Sequence, residues 1–266
     1  MRLTFLGTGT STGIPQLRCG CATCTSSDPR DRRMRCAALL DVKGKRILID
    51  CGPDFYQQML IHGKRSEHDV LDALIVTHQH YDHVGGVDDL RPYCAQEEFI
   101  YKGFPIYCQD DVAQVIKRAM PYSFQDPLPR GVPRLDLHEI SDGETFTAAG
   151  VEILPLRISH YLLEILGFRI GNLGYITDAK IVPDSTVKRM TSVDTLVINA
   201  LRRTPHPSHM SLDESLAVIE RIKPRVAYLT HIAHEMGTHA ETETVLPPGV
   251  FLAYDGLTIE IPDQKD

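Results

Sequence analysis

Short apolar runs, set off by Gly, Pro, Asp and Asn, recur along the whole chain. They predict strands at residues 3–6, 37–42, 46–49, 73–76, 105–108, 151–155, 167–170, 173–177, 195–198, 226–229, 250–253 and 257–261. Between them, apolar positions spaced three and four apart predict helices at 55–62, 84–93, 111–120, 183–190 and 212–222. Several strands are apolar at nearly every position, the pattern of strands covered on both faces, so an α/β architecture with sheets between helices is expected. The proline-containing stretch 121–133 reads as a long surface loop. No internal repeat, Ser/Gly linker or charge block divides residues 1–266, and a single domain is expected.

With 42% hydrophobic and 24% charged residues among 266, the chain can bury a core large enough to hold a rigid polar site. Its net charge of -7 argues against a protein that grips long nucleic acid, which requires a clustered basic surface. Arg30, Arg32, Arg33 and Arg35 are the local exception and read as a solvated surface loop. The chain opens into a strand pattern without a charged leader, and it has no apolar run long enough to cross a bilayer. A cytoplasmic protein with no membrane association is therefore expected. Seven cysteines is an odd number. Three of them crowd into Cys19-Gly20-Cys21-Ala22-Thr23-Cys24, which suits thiolate metal ligation in a reducing compartment better than a disulfide framework. Cys36, Cys51, Cys94 and Cys108 read as core residues.

The densest chemistry follows the apolar strand Leu74-Ile75-Val76, where His78, His80, Asp82 and His83 fall within six residues. That is the carboxyl end of a strand, where α/β proteins place their sites. His78 and His80, leaving an extended segment, point the same way, while Asp82 and His83 lie past the turn and can face a second ion. Burying four titratable groups together without a metal would be costly.

The pattern His-x-His-x-Asp-His after an apolar strand resembles the signature of the metallo-β-lactamase superfamily, and the likeness extends over nearly the whole chain. The resemblance implies a four-layer αββα sandwich with mixed sheets. It implies that one ion is held by His78, His80, His160 and Asp178, and a second by Asp82, His83 and His231, with Asp178 bridging. His160, Asp178 and His231 each follow a predicted strand, although each read alone could equally be structural. Asp50, after Ile47-Leu48-Ile49, is implied to support a metal-bound histidine; read alone it is also a turn or helix-capping residue.

Within that superfamily the chain resembles the PhnP-like branch, phosphoribosyl cyclic phosphate phosphodiesterases related to the tRNA 3′-processing endonucleases. One feature is the stretch 7–15, Gly-Thr-Gly-Thr-Ser-Thr-Gly-Ile-Pro, followed by the cysteine cluster. It implies an N-terminal zinc-binding loop at about 9–36, in which Cys19, Cys21, Cys24 and His234 close a tetrahedral structural zinc site. The other is His209, just before a predicted helix, for which the branch implies a general acid facing the metals. Read alone, His209 is also an ordinary surface histidine. His62, His68, His138, His206 and His239 match no role and read as surface residues.

The expected function is that of a dinuclear metal-dependent phosphodiesterase acting on a small, cyclic phosphodiester such as a phosphoribosyl cyclic phosphate. Asp178 and His209 would be catalytic, with two manganese or zinc ions at the active site and one structural zinc. Two other enzymatic readings stay open: a tRNA 3′-processing endonuclease, although the chain shows no Gly/Pro-rich basic arm, and a thioester or lactam hydrolase. A metal-binding protein without activity is the non-enzymatic alternative. The expected partner is a small-molecule phosphodiester; nucleic acid is not expected, and a homodimer is left open.

Overall fold

The structure, a computed structural model, describes residues 1–63 and 69–262, so His68 lies outside the described residues. The first half contributes β1 (Arg2–Gly7), β2 (Ala37–Val42), β3 (Lys45–Ile49), β4 (Ala73–Ile75), β5 (Phe104–Cys108) and β6 (Leu135–Glu139). The second half contributes β7 (Phe146–Ala148), β8 (Val151–His160), β9 (Leu163–Ile170), β10 (Leu173–Ile176), β11 (Thr195–Asn199), β12 (Val226–Thr230) and β13 (Val250–Leu252). β14 (Thr258–Glu260) returns to the first sheet. Among the described residues the two sheets run β14-β1-β2-β3-β4-β5-β6 and β13-β12-β11-β10-β9-β8-β7. β3 to β6 are mutually parallel, as are β10 to β13, and the remaining pairings are antiparallel, so both sheets are mixed.

The helices are α1 (Phe55–His62), α2 (Tyr81–Val84), α3 (Arg91–Cys94), α4 (Asp110–Ala119), α5 (Asp184–Met190), α6 (Leu212–Ile222) and α7 (His239–Glu243). Side chains alternate across a strand, and here both faces are apolar. Leu40, Ile47 and Ile49 point inward to meet Ile153, Phe168 and Tyr175 of the other sheet. Leu39, Leu48 and Leu74 point outward under Phe55 and Met59 of α1 and Ile116 of α4. On the far side Ile176, Ile198 and Leu229 pack under Val187 and Met190 of α5 and Ile219 and Ile222 of α6. The result is helix, sheet, sheet, helix, the expected αββα order. Each fully buried Leu or Ile in these layers contributes roughly 1.5–3 kcal/mol. Among the described residues, no helix is long and apolar enough to cross a membrane.

Several elements differ from the sequence pattern. The predicted helix at 84–93 is broken into α2, a 3-10 turn at Val87–Leu90, and α3. Gly85 and Gly86 interrupt it, and a Cβ at Gly86 would lie 2.1 Å from the carbonyl oxygen of Gly52. This backbone contact seats the segment on the end of β3 and leaves no room for a continuous helix. β6 and β7 were not expected: β6 is polar at alternate positions and β7 has only three residues, both lying at sheet edges. β8 continues past Pro155, carried by pairing with β9 as far as His160 opposite Leu163.

The arginine-rich stretch is not simply a solvated loop. Arg33 is buried, donating to Thr8 Oγ1 (2.8 Å), to the Ala253 carbonyl (2.5 Å) and to His239 Nδ1 (3.2 Å). His239, expected on the surface, is buried with it because the two satisfy each other's polar atoms.

Candidate metal centre

The carboxyl ends of β3, β4, β10 and β12 deliver Asp50, Thr77, Asp178 and His231 to one edge of the sandwich. Three of these residues leave their strands with positive φ: Asp50 at 62°, Asp178 at 56° and His231 at 56°. Non-glycine residues adopt that region rarely, and such strain concentrates at functional sites. β8 ends on His160, and Tyr161-Leu162 turns the chain into β9.

Asp50 organises the buried side of this edge. Its Oδ1 accepts from the Thr77 N–H (2.8 Å), and its Oδ2 accepts from Thr77 Oγ1 (2.9 Å) and from His83 Nδ1 (2.7 Å). With its own proton given to Asp50, the Thr77 hydroxyl accepts from His78 Nδ1 at 3.0 Å. The Ser208 carbonyl accepts from His160 Nδ1 at 2.8 Å. Each of these bonds occupies one ring nitrogen and leaves Nε2 of His78, His83 and His160 as the atom that can face an ion, the arrangement that supports metal-ligating histidines.

The free atoms converge in adjoining groups. Candidate donor atoms of His78, His80 and His160 lie within 4.8 Å of one another, as do those of Asp82, His83, Asp178 and His231. His78 Nε2 and His80 Nδ1 are 3.1 Å apart. Asp178 lies between imidazoles, with Oδ2 3.2 Å from His83 Nε2 and Oδ1 3.0 Å from His231 Nε2. A third group joins His160, Asp178 and His209, whose Nδ1 is 3.7 Å from Asp178 Oδ1. All seven residues expected at the metals are thus brought together, with His209 beside them.

The electrostatics match this grouping. Burial pushes His78 well below its ordinary value and lowers His80, keeping both neutral with a lone pair to offer. Burial opposes ionisation of Asp178, yet His231 and His83 hold it well below the usual carboxylate range. Burial also opposes protonation of His83, but Asp178, Asp50 and Asp82 raise it well above the ordinary imidazole value. Burial, followed by His231, lowers His209 to about 3. His231 Nδ1 and His209 Nδ1 are buried without a hydrogen-bond partner. Orphaned buried nitrogens around clustered carboxylates fit divalent cations, and an imidazole and carboxylate donor set suits zinc or manganese.

A separate group lies in the N-terminal loop. His234 Nδ1 is 3.5 Å from Cys19 Sγ and 3.3 Å from Cys21 Sγ, and Cys24 completes the cluster. Backbone N–H groups of Gln16 and Cys24 donate to Cys24 Sγ (3.3 Å) and Cys21 Sγ (3.5 Å). The Cys24 N–H bond is the main reason Cys21 falls to about 6, whereas burial pushes Cys24 up to about 11. Three thiols and one imidazole form the donor set of a closed zinc site. Cys36, Cys51, Cys94 and Cys108 are buried, as expected.

The sequence reading missed Thr77, which joins Asp50 to His78, and Thr177, which donates to Asp178 Oδ2 at 2.7 Å. It also missed the Ser208 carbonyl under His160. A lone threonine or a backbone carbonyl leaves no spacing pattern that could reveal such a role.

A family model described as the beta-lactamase superfamily domain matches residues 45–232. The octanoyltransferase of Porphyromonas gingivalis (strain ATCC BAA-308 / W83) is 40% identical over 268 residues, covering 100% of this chain and 52% of that protein. The chain therefore spans about half the length of this curated relative. The crystal structure of a diphosphatase from the PhnP family is 36% identical, with a TM-score of 0.89 over 98% of both chains. Zinc-bound PqqB from Methylobacterium extorquens is 20% identical with a TM-score of 0.78, covering 98% of this chain and 100% of that one, a likeness of fold alone.

Proposed function

The chain belongs to the beta-lactamase superfamily, and we propose that it is a metal-dependent hydrolase of that fold that cleaves a small phosphodiester. A cyclic ester such as a phosphoribosyl cyclic phosphate is the leading substrate. Likeness to a PhnP-family diphosphatase over nearly the whole chain supports phosphate chemistry. The octanoyl transfer named for the longer relative is a weaker guide, because this chain matches only 52% of it.

In this reading His78, His80, His160 and Asp178 hold one cation, and Asp82, His83 and His231 hold the other, with Asp178 shared. Zinc or manganese fits both positions, and a structural zinc fits Cys19, Cys21, Cys24 and His234. The two cations would make a nucleophilic water available near neutral pH and offset the charge of the phosphate. Asp50 and Thr77 fix the rings of His83 and His78, the Ser208 carbonyl fixes that of His160, and Thr177 orients Asp178. The ligand atoms are therefore set before substrate arrives, and little reorganisation remains for the reaction.

His209 carries the choice of reaction. Its ring stands 4.7 Å from that of His160 and 4.9 Å from that of His231, with Nδ1 unpartnered 3.7 Å from Asp178. A phosphodiester has a poor alkoxide leaving group and needs a proton donor at this place, whereas the thiolate leaving group of a thioester does not. Burial keeps His209 neutral in the free protein. An anionic phosphate seated against the ring favours the protonated, donating form.

Purified protein reconstituted separately with zinc and with manganese should be assayed against cyclic phosphodiesters, linear diesters, thioesters and pre-tRNA. Cyclic diesters should give the highest kcat/KM. A preference for thioesters, or for pre-tRNA, would sink the reading.

A further inference from the structure

The rim beside His80 and His160 is apolar where a solvated rim would be polar. Tyr161 and Leu162, the turn between β8 and β9, are 65% and 83% exposed, and Ile181 is 60% exposed. Ile181 pairs through its backbone with Ser159, the residue before His160, so it lies beside the strand end that leads into the Tyr161-Leu162 turn. Tyr81, 71% exposed, directly follows His80, whose ring is 5.1 Å from that of His160. Single exposed apolar residues need no explanation, but four on the segments that carry His80, His160 and Asp178 place apolar surface next to a polar site, as a binding surface would.

The turn itself adds an independent observation. Tyr161 has φ 54°, a conformation that favours glycine or asparagine in a two-residue hairpin. A tyrosine followed by a leucine satisfies neither turn chemistry nor solvation. Neither turn chemistry nor packing in the fold accounts for this pair, which directly follows His160 of the ligand group.

We propose that Tyr161, Leu162, Tyr81 and Ile181 form a clamp for an aromatic substituent on the substrate phosphate, making the protein selective for aryl or nucleoside phosphoesters over esters of small alcohols. The inference rests on the phosphodiesterase reading for the phosphate and adds the identity of its substituent. A flat ring lies against the tyrosine and aliphatic side chains while the phosphate faces the histidines, and stacking of this kind tolerates any aromatic ring. The contact is made by substrate and transition state alike, so it acts mainly on binding and KM.

The test is calorimetric titration of metal-loaded protein at pH 8 with phenyl phosphate and methyl phosphate, which carry the same anion and differ only in the ring. The wild-type protein should bind phenyl phosphate about tenfold more tightly. Tyr161→Asn combined with Leu162→Ala suits the left-handed turn and removes both side chains. It should bring the two affinities together while leaving that for methyl phosphate unchanged, and Tyr161→Phe should retain the preference. Equal wild-type affinities, or a preference that survives in the double variant, would overturn the clamp while leaving the phosphate reading intact. Failure of both ligands to bind would overturn the two readings together. If sedimentation shows a wild-type dimer that the double variant dissociates with the ligand preference unchanged, the rim is an interface between copies and the clamp is wrong.

Discussion

Asp50 shows how much a single side chain can organise. It ends β3 in a left-handed conformation, and its two oxygens reach both His83 and, through Thr77, His78. Asp50→Asn replaces one acceptor oxygen with an amide and should weaken binding of the catalytic metals by about ten- to a hundredfold, the usual effect of losing such support. Competition with a chelator of known affinity measures it; unchanged affinity would mean that Asp50 serves only the backbone turn. His209 gives a sharper test. His209→Ala should lower turnover of an alkyl or cyclic diester about a hundred- to ten-thousand-fold with metal content unchanged. A diester with a nitrophenolate leaving group should lose less, since it needs little protonation. Because His209 also groups with His160 and Asp178, loss of a metal ion in this variant would reassign it from acid to ligand. At this scale the sequence was informative where chemistry is contiguous, as in His78 to His83. His160, Asp178 and His231 were placed only through resemblance, since a residue ending a strand has no local signature. Thr77 could not be seen at all, because its role depends on where two other strands end.

At the scale of elements, the N-terminal loop is held by two separate devices. One is the contact of Arg33 and Asp31 with α7, where His239 accepts from Arg33 through Nδ1 and its backbone N–H donates to Asp31 at 2.6 Å. Burial, aided by Arg33, lowers His239 to about 4 from an ordinary 6.5. A histidine with a depressed folded-state pKa stabilises fully above its unfolded value, and that contribution is lost as pH falls through about 6.5 toward 4. Wild-type protein should therefore lose on the order of 3 kcal/mol relative to His239→Asn between pH 7 and pH 4, read from urea unfolding at each pH. Parallel pH profiles for the two proteins would exclude it. The other device is the cysteine cluster. A Cys19→Ser/Cys21→Ser/Cys24→Ser variant should contain one zinc fewer per chain by elemental analysis and melt several degrees lower, as structural zinc contributes directly to folding. Equal zinc in both proteins would eliminate the site. The long apolar strands and α6, with its Ser211 and Glu214 capping box, were legible because their patterns are strong and local. The short edge strands β6 and β7 carry too little pattern, and the break between α2 and α3 depends on contact with Gly52, more than thirty residues away.

Across the whole molecule, both-face apolar strands made sheets covered by helices legible, while the four-layer αββα order came through the resemblance. The closing strand was predicted at 257–261, but its partner was not: β14 pairs with β1 through Leu3 and Ile259, a partnership set only by the completed fold. Three of the residue groups also have a common plan. His78 and His80 come from the first half of the chain and His160 from the second; Asp82 and His83 meet Asp178 and His231; the cysteines meet His234. An ion bound at any of them ties a segment made early in the chain to one made late. Separation of the two sheets then waits on ion release, and native lifetime becomes a matter of dissociation kinetics as well as core packing. Excess chelator should shorten the half-life at a fixed elevated temperature by at least tenfold while leaving far-ultraviolet circular dichroism at 25 °C unchanged; equal half-lives would show that the ions do not limit unfolding. The durability of a preparation would accordingly be set by the trace metals of its storage buffer.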